Sequence, residues 1–487
     1  MRAHPFTCLV LLFVLIAGAE PAFADFIRVG DLLPNAVSAD GTVVVGASVS
    51  AASSPLVEAF RWTQATGMVG LGFLPGSTSS RGTGLSADGS IAVGGVSGGI
   101  GEAFRWTQAS GMVGLGFLPG GNQSTANGVS ADGAVAVGWS NFPGGAQQAF
   151  RWTWATGMVG LGFLPDSNRS EANAVSADGV VVVGSSIIPI APFTGVDEAF
   201  RWTQATGMVG LGFLPGGTTS LSRGVSADGS VIVGAGNYSP QSGYQAFRWT
   251  QVSGMVGLGF LPGDDQSFAN GVSADGGVVV GASSVVSHPG GPPAEAFFTQ
   301  AFIWTSTNGM QSVRDVLVSL GNDLTGWRLT AALAISADGT TIVGTGINPS
   351  GQGEAWLATL TPAPNRELVN GKVSFEPLGS TFQTTSDTTG CPAGFTGIFQ
   401  FAARLTNNSE VLLTNLVVGV TTLTNDNLLQ NADGGPAGVG ARLTVPRQAG
   451  FSDGVLQPEE FVDVPFMICL KQLLPFTFRV DVFGTVQ

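Results

Sequence analysis

Residues 83–120 read TGLSADGSIAVGGVSGGIGEAFRWTQASGMVGLGFLPG, and the fold follows from what this stretch contains and how often it returns. Four short apolar segments succeed one another: Thr83 to Ser86, Ile91 to Gly94, Ala103 to Thr107 and Met112 to Leu118. Each has the length of a strand and is bounded by turn residues. Asp88-Gly89 predicts the hairpin between the first two, because that turn geometry needs positive φ, which glycine adopts readily. Ser110-Gly111 predicts the turn between the last two. In the sister segment Phe60-Arg61-Trp62-Thr63 the two aromatics share one face, because side chains alternate along a strand.

The Ser-Ala-Asp-Gly unit begins at Ser38, Ser86, Ser130, Ser176, Ser226, Ser273 and Ser336, at spacings of 48, 44, 46, 50, 47 and 63 residues. The last spacing is long because of insertions. Each unit precedes an Ala-Phe-Arg-Trp-Thr segment, which degenerates to Ala301-Phe302-Ile303-Trp304 and then to Ala355-Trp356-Leu357. Four strands in 44 to 50 residues is the size of a propeller blade and a poor match to a helical solenoid. Buried inner strands should read as near-continuous apolar runs, as Val180 to Val183 does.

The phase of the repeat is circular. Phe26 to Pro34 aligns with the fourth-strand segment Met-Val-Gly-Leu-Gly-Phe-Leu-Pro, whereas the array ends at Ala355 to Leu360, a third strand with no fourth behind it. The expected fold is therefore all-β: a seven-bladed β-propeller over residues 25–361, closed by the N-terminal strand so that no edge is left open, then a linker at 362–366 and a β-sandwich over 367–487. The sandwich follows from alternating segments such as Ile398 to Leu405, Leu412 to Thr422, Glu460 to Cys469 and Phe476 to Phe483, with turn signals between them.

The Ala-Phe-Arg-Trp, Gly-Met-Val and Ser-Ala-Asp-Gly elements, recurring in order over about residues 26 to 360, resemble the HAF-repeat family of bacterial extracellular proteins. The resemblance implies an exported repeat protein and no particular activity. The family's histidine position is filled here by Glu58, Glu102, Gln148, Glu198, Gln245, Gln300 and Glu354, so no role of that histidine carries over. The stretch Asp453 to Glu460 is similar to the turn before a strand in bacterial immunoglobulin-like surface modules.

The N-terminus points to export. Arg2, the apolar run Phe6 to Gly18 and the small-residue site at Ala22-Phe23-Ala24 read as a signal peptide over 1–24, too short to span a bilayer. Cys8 is too far from the cleavage site to carry a lipid. Only Cys391 and Cys469 then remain, and an even pair in an exported chain is most simply a disulfide. Charged residues make up 11% of the chain and 73 residues are glycine, a composition that suits short strands and tight turns. A net charge of −14 with two lysines, Lys372 and Lys471, argues against nucleic acid and disfavours anionic membranes, leaving basic partners, cations and neutral glycans for a chain expected to be a monomer.

The titratable groups give little chemistry. The seven aspartates of the repeat (Asp40, Asp88, Asp132, Asp178, Asp228, Asp275, Asp338) read as turn residues in preference to a cation ring. Arg61, Arg105, Arg151, Arg201 and Arg248 read as an inter-blade position whose guanidinium needs an acidic or carbonyl partner. His288 is the sole histidine outside the signal, and without it no nucleophile–histidine–acid set can be assembled. Zinc spacing and the twelve-residue calcium loop are missing, although Asp426, Asp433 and Asp453 could hold calcium in the sandwich. Glu58, Glu102, Glu198 and Glu354 could serve glycoside hydrolysis, but they repeat in phase with the fold.

The expectation is a secreted, non-catalytic propeller without cofactor or metal, binding a glycan or protein. The alternatives are a structural surface component and a carboxylate-based glycosidase or lyase. Binding is expected on the face carrying the irregular loops between second and third strands, where Trp139, Phe142, Phe193, Tyr238, Tyr244 and His288 lie, since variable loops on a rigid scaffold commonly carry function.

Overall fold

The computed structural model describes residues 26–30, 32–49, 57–191, 194–238, 243–285, 299–320, 322–360, 367–379, 383–386, 388, 391–392, 394–432, 441–445, 451, 454–472, 474 and 476–486. The expected signal 1–24 and linker 362–366 lie outside them, as do Phe193, His288, Asp433 and Asp453. The chain is all-β and its repeats form a β-propeller; among the described residues there is one α-helix, Val313–Ser319. That helix occupies the insertion behind the 63-residue spacing, and the Ser312 hydroxyl caps it by accepting the Asp315 N–H. No helix among the described residues is long and apolar enough to cross a membrane.

The second repeat shows the plan. Strands Ser79–Leu85, Ile91–Ser97, Ala103–Thr107 and Gly111–Gly114 pair antiparallel in chain order. The fourth strand ends at Gly114, earlier than the sequence suggests. Gly116, at φ +76°, turns the chain off the sheet edge, and Leu115 and Leu118 drop into the core instead. Val180 is also unlike the expectation: it sits on the turn, 52% exposed, and burial begins at Val181.

The third-strand aromatic anchors each sheet. Phe60, Phe104, Phe150, Phe200, Phe247, Phe302 and Trp356 are at most 1% exposed. Each lies opposite a second-strand glycine, as Phe60 does opposite Gly46. A Cβ on Gly46 would stand 2.9 Å from the Phe60 ring, so the ring uses the space that glycine leaves.

Consecutive repeats are stitched by polar groups at fixed positions. The buried Ser80 hydroxyl accepts the Ala59 N–H and donates to the Gly72 carbonyl, and Ser124, Ser170, Ser220 and Ser267 repeat the pattern. Arg61, Arg105, Arg151 and Arg248 each donate Nε to the Asp-Gly turn carbonyl of the next repeat (Gly89, Gly133, Gly179 and Gly276), the carbonyl of the two partner types expected. Backbone amides run from Ala39 to the Ala87 carbonyl and onward through Ala131, Ala177, Ala227, Ala274 and Ala337, whose own N–H returns to the Ala39 carbonyl. The strand Phe26–Gly30 stands in one sheet with Gly353–Thr359, Thr341–Ile347 and Arg328–Ile335, in that order.

Beyond residue 367 two five-stranded sheets form, one centred on Leu413–Leu423 and Phe478–Val486, the other on Gly397–Asn407 and Phe461–Leu470. Both contribute to one core containing Phe399, Phe401, Phe466, Phe478, Val418 and Val480. Cys391 and Cys469 are disulfide-bonded.

Candidate functional site

The repeated polar residues are absorbed by structure. In every Ser-Ala-Asp-Gly turn the serine hydroxyl donates to the aspartate, as Ser86 does to Asp88 at 2.6 Å, and also receives a backbone N–H, that of Ile91 at 2.9 Å. The aspartate in turn accepts the N–H two residues on, from Ser90 for Asp88. The serine hydroxyl and these N–H groups hold Asp88 and Asp228 down at about 2, and lower Asp132, Asp178 and Asp275. At Asp40 and Asp338 burial pushes upward, yet the hydrogen bonds still leave both below the usual carboxylate range. Glu58, Glu102 and Glu198 accept the N–H of Gly72, Gly116 and Gly212, so they fasten the chain where it leaves each sheet.

The loop residues expected to bind a ligand divide. Phe142 packs on the core beside Leu118 and Phe150. Tyr238 also packs on a core cluster and donates its hydroxyl to the Asp265 carbonyl at 3.2 Å. Trp139 is half-buried in the strand Val135–Asn141, across from Thr125, and so belongs to the sheet and not to a loop. Tyr244, at the start of Tyr244–Thr250, lies 5.5 Å from the Phe268 ring. Over Phe268, at 5.4 Å, stands the guanidinium of Arg223. The structure thus sets Tyr244 against Phe268, and neither Tyr244 nor Tyr238 lines the pocket that Arg223 helps to form.

That site is a pocket of about 270 Å³ where the third, fourth and fifth repeats meet; Gln147, Arg169, Glu171, Asp197, Leu221 and Arg223 are among its walls. It grows from the first strands. Positions five and three residues before the turn serine share a face there and alternate with small buried residues, so Glu171 and Asn173 flank Ala172. At the third position Asn35, Asn127, Asn173 and Asn270 each donate to a carbonyl of the next first strand (Gly82, Ala172, Ser222 and Ala332), and Thr83 does the same to Ala126. In the fifth repeat Arg223 takes this place and donates instead to Asn270 Oδ1 at 2.7 Å.

Glu171 is held by two amides, Asn127 Nδ2 at 3.0 Å and Gln147 Nε2 at 3.3 Å, and Arg169 donates to Gln147 Oε1 at 3.0 Å. Burial raises Glu171, the two amides and Arg169 oppose it, and the charge of Asp197 adds to the rise. Burial raises Asp197 as well, against the pull of Arg169. No hydrogen bond reaches the Asp197 side chain among the described residues. The pocket therefore offers one carboxylate already fixed, a second that is free, and a guanidinium with donors to spare.

Sequence reading missed Gln147, Arg169, Glu171, Asp197 and Arg223. The available signal was the fifth position before each turn serine, which reads Arg81, Thr125, Glu171, Leu221 and Phe268 in repeats otherwise nearly identical.

No family model matches the chain, and no curated protein matches it significantly. Solved structures do. TolB from Acinetobacter baumannii is 16% identical with a TM-score of 0.34 over 46% of this chain, and the match spans 53% of that protein, about half its length. An oligogalacturonate lyase in complex with manganese is 13% identical, TM-score 0.45, covering 69% of this chain and 90% of the lyase. The β-propeller domain of the trilobed protease from Pyrococcus furiosus is 10% identical, TM-score 0.43, over 71% and 97%. Two of these come from enzymes, which overturns the expectation that this chain is not one. At such identities and scores no substrate transfers, and the question of activity falls to the pocket.

Proposed function

We propose that the chain is an exported HAF-like repeat protein, a seven-bladed β-propeller closed by its N-terminal strand and followed by an immunoglobulin-like sandwich, and that it binds an extracellular glycan or protein at the pocket of the third to fifth repeats. The circular hydrogen-bond series from Ala39 through Ala337 back to Ala39 supports closure. Asp197, which lines the pocket with Arg169 and Arg223 and accepts no hydrogen bond among the described residues, carries the binding reading. Buried polar groups that the fold does not use are what a ligand is recognised by.

A glycan array and a screen of secreted proteins with the purified chain, repeated with Arg169→Ala and Glu171→Ala, test this. Captured partners should be lost with either substitution. Capture indifferent to both would reject the pocket as the binding site.

A second reading is favoured by one observation: Glu171 and Asp197 are two carboxylates, coupled in charge and both raised by burial, in a single pocket. Such a pair is the equipment of carboxylate-based glycoside cleavage. Release of reducing ends from an acidic oligosaccharide, abolished by Glu171→Gln, would establish it, and inert substrate at high protein concentration would dismiss it.

A further inference from the structure

The chemistry of the same pocket narrows what it accepts, and the inference rests on the binding reading above. The chain is acidic, with a net charge of −14, yet the wall of this pocket carries Arg169 and Arg223. Four of the five arginines of the Ala-Phe-Arg-Trp segments are spent on turn carbonyls. Arg223 differs from them. It is steadied by Asn270 and by the face of Phe268, which leaves the rest of its guanidinium fork for a ligand.

A simple dianion such as phosphate or sulfate is disfavoured, because Glu171 and Asp197 would repel it at close range. Glu171 is already compensated by Asn127, Gln147 and the nearby Arg169. Asp197 feels Arg169 but accepts no hydrogen bond among the described residues, so it can take one from the ligand. Of the remaining neutral lining, Gln147 and Ser170 are engaged with Glu171, Arg169 and the backbone, whereas Asn173 Oδ1 and the Ser185 hydroxyl can meet a ligand hydroxyl. Hydroxyl groups match that lining, whereas an ammonium offers donors only. A volume of about 270 Å³ suits a single sugar ring.

We propose that the pocket holds one hexuronic acid unit of a glycan, its carboxylate on Arg223 and its hydroxyls shared between Asp197, Asn173 and Ser185. Recognition is then by charge at one end of the ring and by hydroxyl pattern at the other.

Calorimetric titration of the full chain with glucuronate, galacturonate, glucose and glycine tests it, with inorganic phosphate as the simple anion. A uronate should bind about tenfold or more above glucose, the factor expected for one charge-assisted contact. Arg223→Gln should reduce the uronate to the level of glucose, while Arg223→Lys retains part of the preference. Asp197→Asn should weaken the uronate and, by removing a repelling charge, strengthen phosphate. Tryptophan fluorescence confirms that each variant is folded. Glucose binding as well as the uronates, glycine or phosphate outcompeting them, or no uronate binding would each overturn the proposal. If uronates fail but another glycan or a protein is captured through Arg169 and Glu171, the uronate assignment alone falls. If nothing captured depends on those residues, the binding reading falls with it.

Discussion

Ring closure can be read from one methyl group. Gly41 and Gly157 both hold positive φ, +75° and +64°. Alanine at either enters the left-handed region, which disfavours an L-residue by about 1–2 kcal/mol. Around Gly157 nothing lies within 4 Å of the new Cβ, so Gly157→Ala should show that strain alone. At Gly41 the Cβ would stand 2.5 Å from Thr341 Oγ1 and 2.6 Å from Thr341 Cβ, in the last repeat. Thr341 is buried, and its Cβ is fixed to the backbone, so it cannot swing aside. Overpacking of this kind adds about 1–3 kcal/mol. Gly41→Ala should therefore destabilise by about 2–5 kcal/mol in all. Gly89→Ala is the internal standard, because its Cβ meets Val43 Cγ2 at 2.6 Å across an ordinary repeat boundary.

Denaturant unfolding followed by tryptophan fluorescence measures these differences. All ten tryptophans fall between Trp62 and Trp356, so the signal reports on the repeats and not on the C-terminal sheets. If Gly41→Ala costs no more than Gly157→Ala while Gly89→Ala costs clearly more, the first and last repeats are not in contact in solution, and the closed ring is wrong.

The aspartate turns make the repeats acid-sensitive over a defined window. Their folded pKa values lie below the usual aspartate range, at about 2 for Asp88 and Asp228, so their contribution is complete above about pH 4 and is lost as pH falls toward 2. Asp88→Asn should flatten the dependence of the unfolding midpoint on pH between these limits, and an unchanged slope would show that the turn is not its source. Asp166, at φ +64°, occupies a place filled by Gly76, Gly120, Gly216 and Gly263 in other repeats, so Asp166→Gly should stabilise by about 1 kcal/mol in the fluorescence assay. The Cys391–Cys469 bond spans 78 residues, for which loop entropy predicts up to about 4–5 kcal/mol. Intact mass after alkylation, with and without reductant, should show no free thiol before reduction, and reduction should lower a transition seen by circular dichroism but not by fluorescence.

The repeat was legible because each of its signals has a local cause. Asp-Gly turns declare hairpins, and Phe-Arg-Trp declares a strand with a buried and a wetter face. The partner of Arg61 could be narrowed only to an acidic group or a carbonyl, and the structure supplies the Gly89 carbonyl. Fourth-strand ends were less legible. Gly116 and its equivalents leave the sheet through positive φ, and a glycine written between apolar residues gives no sign of which conformation it takes. Val180 misled for a related reason: an apolar run says that burial is near and leaves its first residue undetermined.

The pocket was illegible for a deeper reason. A repeat array announces what its copies share, and what they share here is consumed in holding neighbours together: serine on glycine carbonyl, arginine on turn carbonyl, asparagine on the next first strand. Recognition has to be written where the copies disagree, and disagreement in a single sequence looks like drift. Geometry separates the two. At the fifth position before the turn serine, Thr125 and Leu221 ask nothing of their surroundings, whereas Glu171 has gathered Asn127 and Gln147 around it. At the third position Arg223 breaks the asparagine series and yet keeps a partner in Asn270. A substitution by drift would leave the girdle with a gap. These substitutions reorganise their neighbours, in adjacent repeats and on one wall, and they leave Asp197 without a hydrogen-bond partner among the described residues.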